Sequence, residues 1–157
     1  AQGQFSIGHG NALGGLTTIL EKSAGALAKA GSSTLEGVIH GFDPPPGKGL
    51  YIQAAVPGTG EAGHMQGRTD MIACGAHMVL FSTGRGAIRG SVVAPTIKVC
   101  GNALTCQRLH DHIDVDVTAV LSGESTLREA GERLYAEVLA VAAGMPTRAE
   151  VLGHTEE

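Results

Sequence analysis

His77–Asn102, which reads HMVLFSTGRGAIRGSVVAPTIKVCGN, decides how the rest of the chain is organised. Two apolar runs, Met78 to Phe81 and Val92 to Val99, flank the glycine-rich segment Thr83-Gly84-Arg85-Gly86, a pattern that predicts strand, anion-facing turn, strand. Between Met71 and His110 there is no Asp or Glu, while Arg85, Arg89, Lys98 and Arg108 all fall inside. That window therefore holds four positive charges in a chain of net charge −4, which leaves −8 for the remainder. The positive region and the glycine loop coincide, so the stretch predicts a place to hold an anion.

Working outward, 157 residues with 43% apolar content suffice for one ordinary core, and the expectation is a single α/β domain over residues 1–157. Aromatic residues make up only 3% and Trp is absent, so the core must come from Ala, Val, Leu, Ile and Gly, as where helices press closely on a sheet. The same scarcity, with a pI near 6.0 and no dense basic tract, argues against nucleic acid as a partner. Mean hydropathy is +0.11, and the longest apolar run, Val138 to Ala143, is far below a membrane span. Residues 1–15 show no basic segment followed by an apolar one, so the reading is a soluble, cytoplasmic protein with no membrane partner. Cys74, Cys100 and Cys106 have no CxxC spacing and read as reduced thiols, with Cys74 and Cys100, which lie in apolar runs, simply buried and metal ligation or redox sensitivity as the alternative.

Taken in order, a glycine-rich loop runs into a helix over about 17–30, opened by a capping box at Thr18-x-x-Glu21 and ended by Gly31. Glu21 and Lys22, adjacent in its first turns, are either a capping acid beside a solvated base or a proton-transfer pair. Strands over Leu35–Gly41 and Leu50–Val56 are separated by a triple-proline spacer at Pro44–Pro46. Gly58-Thr59-Gly60-Glu61-Ala62-Gly63 is a literal G-x-G-x-x-G ahead of a helix to about Cys74. As a dinucleotide fingerprint it lacks the acidic residue wanted about 20 positions on, and Glu61 would repel phosphate. Beyond the strand Thr96–Cys100, Asn102 can cap a short helix to about His110. His110 to Val117 then alternates, which predicts a strand with His110, His112, Asp114 and Asp116 on one face, as a divalent-metal site or a solvated edge. A long helix starts at Thr126 with a capping box to Glu129 and ends at Gly144, and a short one starts at Thr147.

Four segments together resemble the C-terminal part of the galactarate/altronate dehydratase family: GNALGGLTTILEKSAGALAKAGSS (Gly10–Ser33), FSTGRG (Phe81–Gly86), APTIKVCGN (Ala94–Asn102) and HIDVDV (His112–Val117). The resemblance implies a mostly parallel sheet flanked by helices, a Rossmann-like variant, forming the C-terminal domain of a longer enzyme. It also implies a divalent metal, iron, and removal of water from a polyhydroxy sugar acid. The family often has Glu-Glu-Lys in the first helix where this chain has Leu20-Glu21-Lys22. The IDVDV segment and the Leu152-Gly153-His154 ending are closer to the large subunit of (R)-sulfolactate sulfo-lyase, a relative that eliminates sulfite.

The expected mechanism is an elimination in which a base takes the proton beside a carboxylate while cationic groups stabilise the enediolate. Arg85 and Lys98 would grip the carboxylate, with Asn11, Thr83, Gly84, Gly86 and Asn102 completing the substrate-binding set. Glu21 or Lys22 would move the proton, and His112, Asp114 and Asp116 would hold the Fe²⁺. The implied partners are a small hydroxy acid and upstream domains or a partner subunit, with homo-oligomerisation allowed. A folded but inert domain and a dinucleotide-binding module are the non-catalytic alternatives.

Overall fold

The structure, a computed structural model, describes residue 12 and residues 16–40, 42–54 and 63–154. The chain divides into two compact units, Ala1–Gly37 with Gly47–Ile52, and Val38–Pro46 with Gln53–Glu157. In the first, helix α1 (Ile19–Ala28) starts where the sequence predicts, because Thr18 is extended and its hydroxyl accepts the Glu21 N–H at 3.1 Å. The return half of the capping box is displaced by one residue. The Glu21 carboxylate accepts from the N–H (2.8 Å) and the hydroxyl (3.0 Å) of Thr17. Strands β1 (Leu35–His40) and β2 (Leu50–Ala54) form a two-stranded sheet, and the triple proline between them is neither helix nor strand, as a fixed φ and a missing N–H require.

The second unit is α/β: helix α2 (Gly63–Ala73) leads to a parallel sheet of β3 (Val79–Thr83), β4 (Thr96–Cys100) and β5 (Val115–Asp116), in that order. β3 and β4 run in register from Val79 opposite Thr96 to Thr83 opposite Cys100, so both end at the same edge of the sheet. The central strand β4 is buried almost throughout, as a strand covered on both faces must be. Alternation sends Ile97 and Val99 to one face and Thr96, Lys98 and Cys100 to the other.

On the first face Ile97 packs with Val115 and Val141, surrounded by Met78, Val99, Val117, Leu134 and Val138. Helix α3 (Ala103–Arg108) follows β4, helix α4 (Thr118–Leu121) follows β5, and helix α5 (Leu127–Ala142) comes next. α5 supplies Leu134, Val138 and Val141 at helical spacing, and its start is set by the complete Thr126/Glu129 capping box. On the opposite face Cys100 packs with Cys106 of α3 and with Ile113. Helix α6 (Arg148–Val151), with its own capping box at Thr147 and Glu150, also packs against β4. No helix among the described residues is long and apolar enough to cross a membrane.

The segment His110–Val117 is not the continuous strand that its alternation predicts. His110–His112 forms a 3-10 turn, in which the His112 N–H donates to the Leu109 carbonyl at 2.9 Å, and only Val115–Asp116 joins the ladder. Packing explains the break. Ile113 joins Cys100 and Cys106 while Val115 joins Ile97 and Val141, on opposite sides of β4, whereas one uninterrupted strand would send both to the same side. The core assignment has a direct check in chemical denaturation. Ile97, 0% exposed, should cost about 3 kcal/mol on truncation to Ala, whereas Leu80, 51% exposed on the edge strand, should cost under about 1 kcal/mol.

Candidate functional site at the carboxyl ends of the strands

In open α/β sheets ligands bind beyond the carboxyl ends of the strands. Here β3 and β4 end side by side at Thr83 and Cys100, and from them leave the glycine loop and the turn into α3. The loop has no regular structure and is shaped by side chains. The Thr83 hydroxyl accepts the N–H groups of Gly86 (3.0 Å) and Ala87 (3.3 Å), folding the loop back on the strand that feeds it. The Thr105 hydroxyl donates to the Gly84 carbonyl at 2.9 Å, and the Asn102 side chain caps α3 by accepting the Thr105 N–H at 3.1 Å. Gly86 lies at φ 74°, and a Cβ there would run into Leu109 and Thr105, so only glycine fits.

Two cations hold the far side of the loop. Lys98 Nζ donates to the Ile88 carbonyl at 2.6 Å, and Arg68 Nη1 donates to the Arg89 carbonyl at 3.0 Å. The Arg68 guanidinium also lies over the Phe81 ring, 5.6 Å from its centroid. Lys98 is wholly buried, so its ammonium sits beneath the loop and not in an opening shared with a carboxylate ligand. Arg85, by contrast, is exposed at the tip. The Gly86 and Ala87 amides are taken up inside the loop, so an anion there would meet side chains, among them the exposed Arg85 guanidinium. Asn102 lines a separate opening of about 690 Å³ together with Gly101, Thr118 and Glu124.

The acidic segment after α3 has a different role from the one its composition suggests. Asp114 Oδ2 accepts the Lys98 N–H and Oδ1 accepts the Arg148 N–H, each at 2.7 Å, so this carboxylate ties the middle of β4 to the start of α6. Asp116 Oδ1 accepts the Thr118 N–H at 2.8 Å. Burial alone would raise its carboxyl, but hydrogen bonds from Thr118 and Cys106 outweigh that and hold it below its ordinary value of 3.8. His112 faces His154, with ring centroids 5.1 Å apart. Burial, and then the charges of His154 and Lys98, push its imidazole below the ordinary 6.5. Among the described residues no three His, Cys, Asp or Glu side chains converge to hold a metal ion, so His112, Asp114 and Asp116 do not fit a Fe²⁺ centre.

The remaining candidates divide. Glu21 is exposed, and the hydrogen bonds from Thr17 hold its carboxyl below 4.5. Asn11, the Lys22 side chain and Gly58–Ala62 lie outside the described residues. The three cysteines are buried thiols outside any disulfide, and the Cys106 thiol is pushed up to about 12, first by burial and then by Cys100, so it stays neutral. Arg68 was missed from sequence because the polar residues of α2 follow no amphipathic stripe that would mark one of them as buried.

Over residues 2–157 the sequence matches the family described as D-galactarate/Altronate dehydratase, C-terminal. It is 38% identical to the (2R)-sulfolactate sulfo-lyase subunit beta of Chromohalobacter salexigens, over 94% of this chain and 37% of that protein. It is 34% identical to the galactarate dehydratase (L-threo-forming) of Escherichia coli, over 86% and 25%. It is also 35% identical to the altronate dehydratase of Escherichia coli, over 74% and 22%. The chain thus spans between 22% and 37% of the length of these relatives.

Two stability measurements test this reading of the acidic segment. Asp114→Ala strands two backbone N–H groups and should cost about 2–4 kcal/mol, seen as a fall in Tm of the same size with and without a chelator. A loss confined to metal-loaded protein would return Asp114 to the role of ligand. The lowered His112 value means the fold favours neutral imidazole. Its contribution is complete above the unfolded value of 6.5 and is lost as pH falls through the lower folded one. His112→Gln should therefore flatten the drop in Tm between about pH 7 and pH 5.

Proposed function

The chain belongs to the C-terminal domain family of the D-galactarate/altronate dehydratases, and on that premise we propose that it is the carboxylate-holding part of a lyase acting on a hydroxy acid. Dehydration of a sugar acid and loss of sulfite from sulfolactate share their hard step. A proton leaves the carbon beside a carboxylate, and charge builds on that carboxylate before the leaving group departs from the next carbon. A fixed cation at the carboxylate lowers the barrier, because its attraction grows as the enediolate forms. The observation that carries the reading is Arg85, exposed at the tip of a loop fastened by Thr83, Thr105, Lys98 and Arg68. A guanidinium can take a carboxylate in a paired, two-point contact, and a held loop presents it with little entropy left to lose.

The proton-transfer pair of this reading is Glu21 or Lys22. A divalent metal, Fe²⁺, would add further stabilisation of the enediolate in this proposal; among the described residues His112, Asp114 and Asp116 do not gather into a three-ligand group for it. The other segments of the longer enzyme, or a partner subunit, complete the pocket, since the relatives are several times longer than this chain. Removal of sulfite is the second reading, favoured by the 38% identity to the sulfo-lyase subunit over 94% of the chain.

Titrating the chain with galactarate, sulfolactate and NADPH separates these readings. Galactarate or sulfolactate should raise Tm or give a calorimetric Kd, NADPH should not, and Arg85→Ala should weaken the acid about tenfold or more, as loss of a charge-assisted pair does. Equal affinity in wild type and Arg85→Ala would sink the proposal.

A further inference from the structure

We infer that Arg68 and Lys98 act together as positioning residues, two buried cations that set the shape of the Arg85 loop by drawing in the consecutive carbonyls of Ile88 and Arg89. The inference deepens the carboxylate-holding role proposed above and rests on it for its link to the ligand. Lys98 rises from the central strand and is 0% exposed; Arg68 comes from α2 and is 6% exposed. They reach adjacent carbonyls at 2.6 and 3.0 Å from two different elements.

Simple packing does not call for cations in these places. Taking a charge out of water costs several kcal/mol unless hydrogen bonds make up for it, and an apolar side chain of similar length would fill the volume without that cost. A charged donor does offer a directional bond about twice as strong as a neutral one, applied here to a loop with no ladder of its own. With both carbonyls turned inward, the chain from Gly84 to Arg89 is held at its far end as Thr83 and Thr105 hold its near end.

The test uses the 157-residue chain with Lys98→Met, Arg68→Met and the charge-keeping Arg68→Lys. In each folded Met variant, hydrogen exchange at the Gly86 and Ala87 amides should speed up about tenfold or more, while β4 and α5 stay protected. The Kd for galactarate should rise about tenfold, the size of one charge-assisted hydrogen bond, and Arg68→Lys should recover most of both effects. Should Lys98→Met not fold, the Arg68 pair carries the same test. Unchanged loop exchange in a folded Met variant overturns the inference. So does faster exchange spread evenly over β4 and α5, or a loosened loop with unaltered galactarate affinity. If Arg85→Ala leaves galactarate binding intact, the functional reading falls, and the exchange data alone judge whether the two cations hold the loop.

Discussion

A single carboxylate, that of Asp114, governs how the second unit is put together. One oxygen receives the Lys98 N–H, the other the Arg148 N–H, and the Asp114 N–H returns to the Lys98 carbonyl at 3.1 Å. A strand is thereby joined through one side chain to a helix start 34 residues away from Asp114. The helix so placed, α6, packs against β4, and Gly90 leaves room for the carbonyl of His154 just beyond it. The Lys98 side chain, wholly buried, turns to the loop and meets the Ile88 carbonyl.

The glycine loop inherits its form from this arrangement. Parallel neighbours such as β3 and β4 need a long crossover, commonly a helix. Here the connection from Gly84 to Pro95 contains no helix or strand, so its backbone groups need partners from elsewhere. Side chains from β3, α3, β4 and α2 supply them. The cationic character of the region thus divides between charges that build the loop, Lys98 and Arg68, and charges exposed on it, Arg85 and Arg89.

What could be read from the sequence was what is locally determined. The capping boxes at Thr126 and Thr147, the Asn102 cap and the strand Thr96–Cys100 depend on neighbours three or four residues apart, and they stand where the sequence places them. The acid-free cationic stretch was visible as composition, but the burial of Lys98 was not, because burial is set by long-range packing that local composition does not carry. His112, Asp114 and Asp116 looked like one face of a strand because alternation is the same for a strand and for a turn followed by a two-residue bridge. Only long-range packing, Ile113 to one side of β4 and Val115 to the other, separates the two. Arg68 had no local signal at all.

Because the supports at Thr105, Lys98 and Arg68 belong to elements outside the loop, its backbone path does not depend on the side chains that the loop itself points outward. Substitutions at the exposed positions 85 and 89 therefore need not unravel the turn. A scaffold of this kind separates the groups that fix the backbone from those it offers to solvent, so the tip can change chemically while the path beneath it is kept.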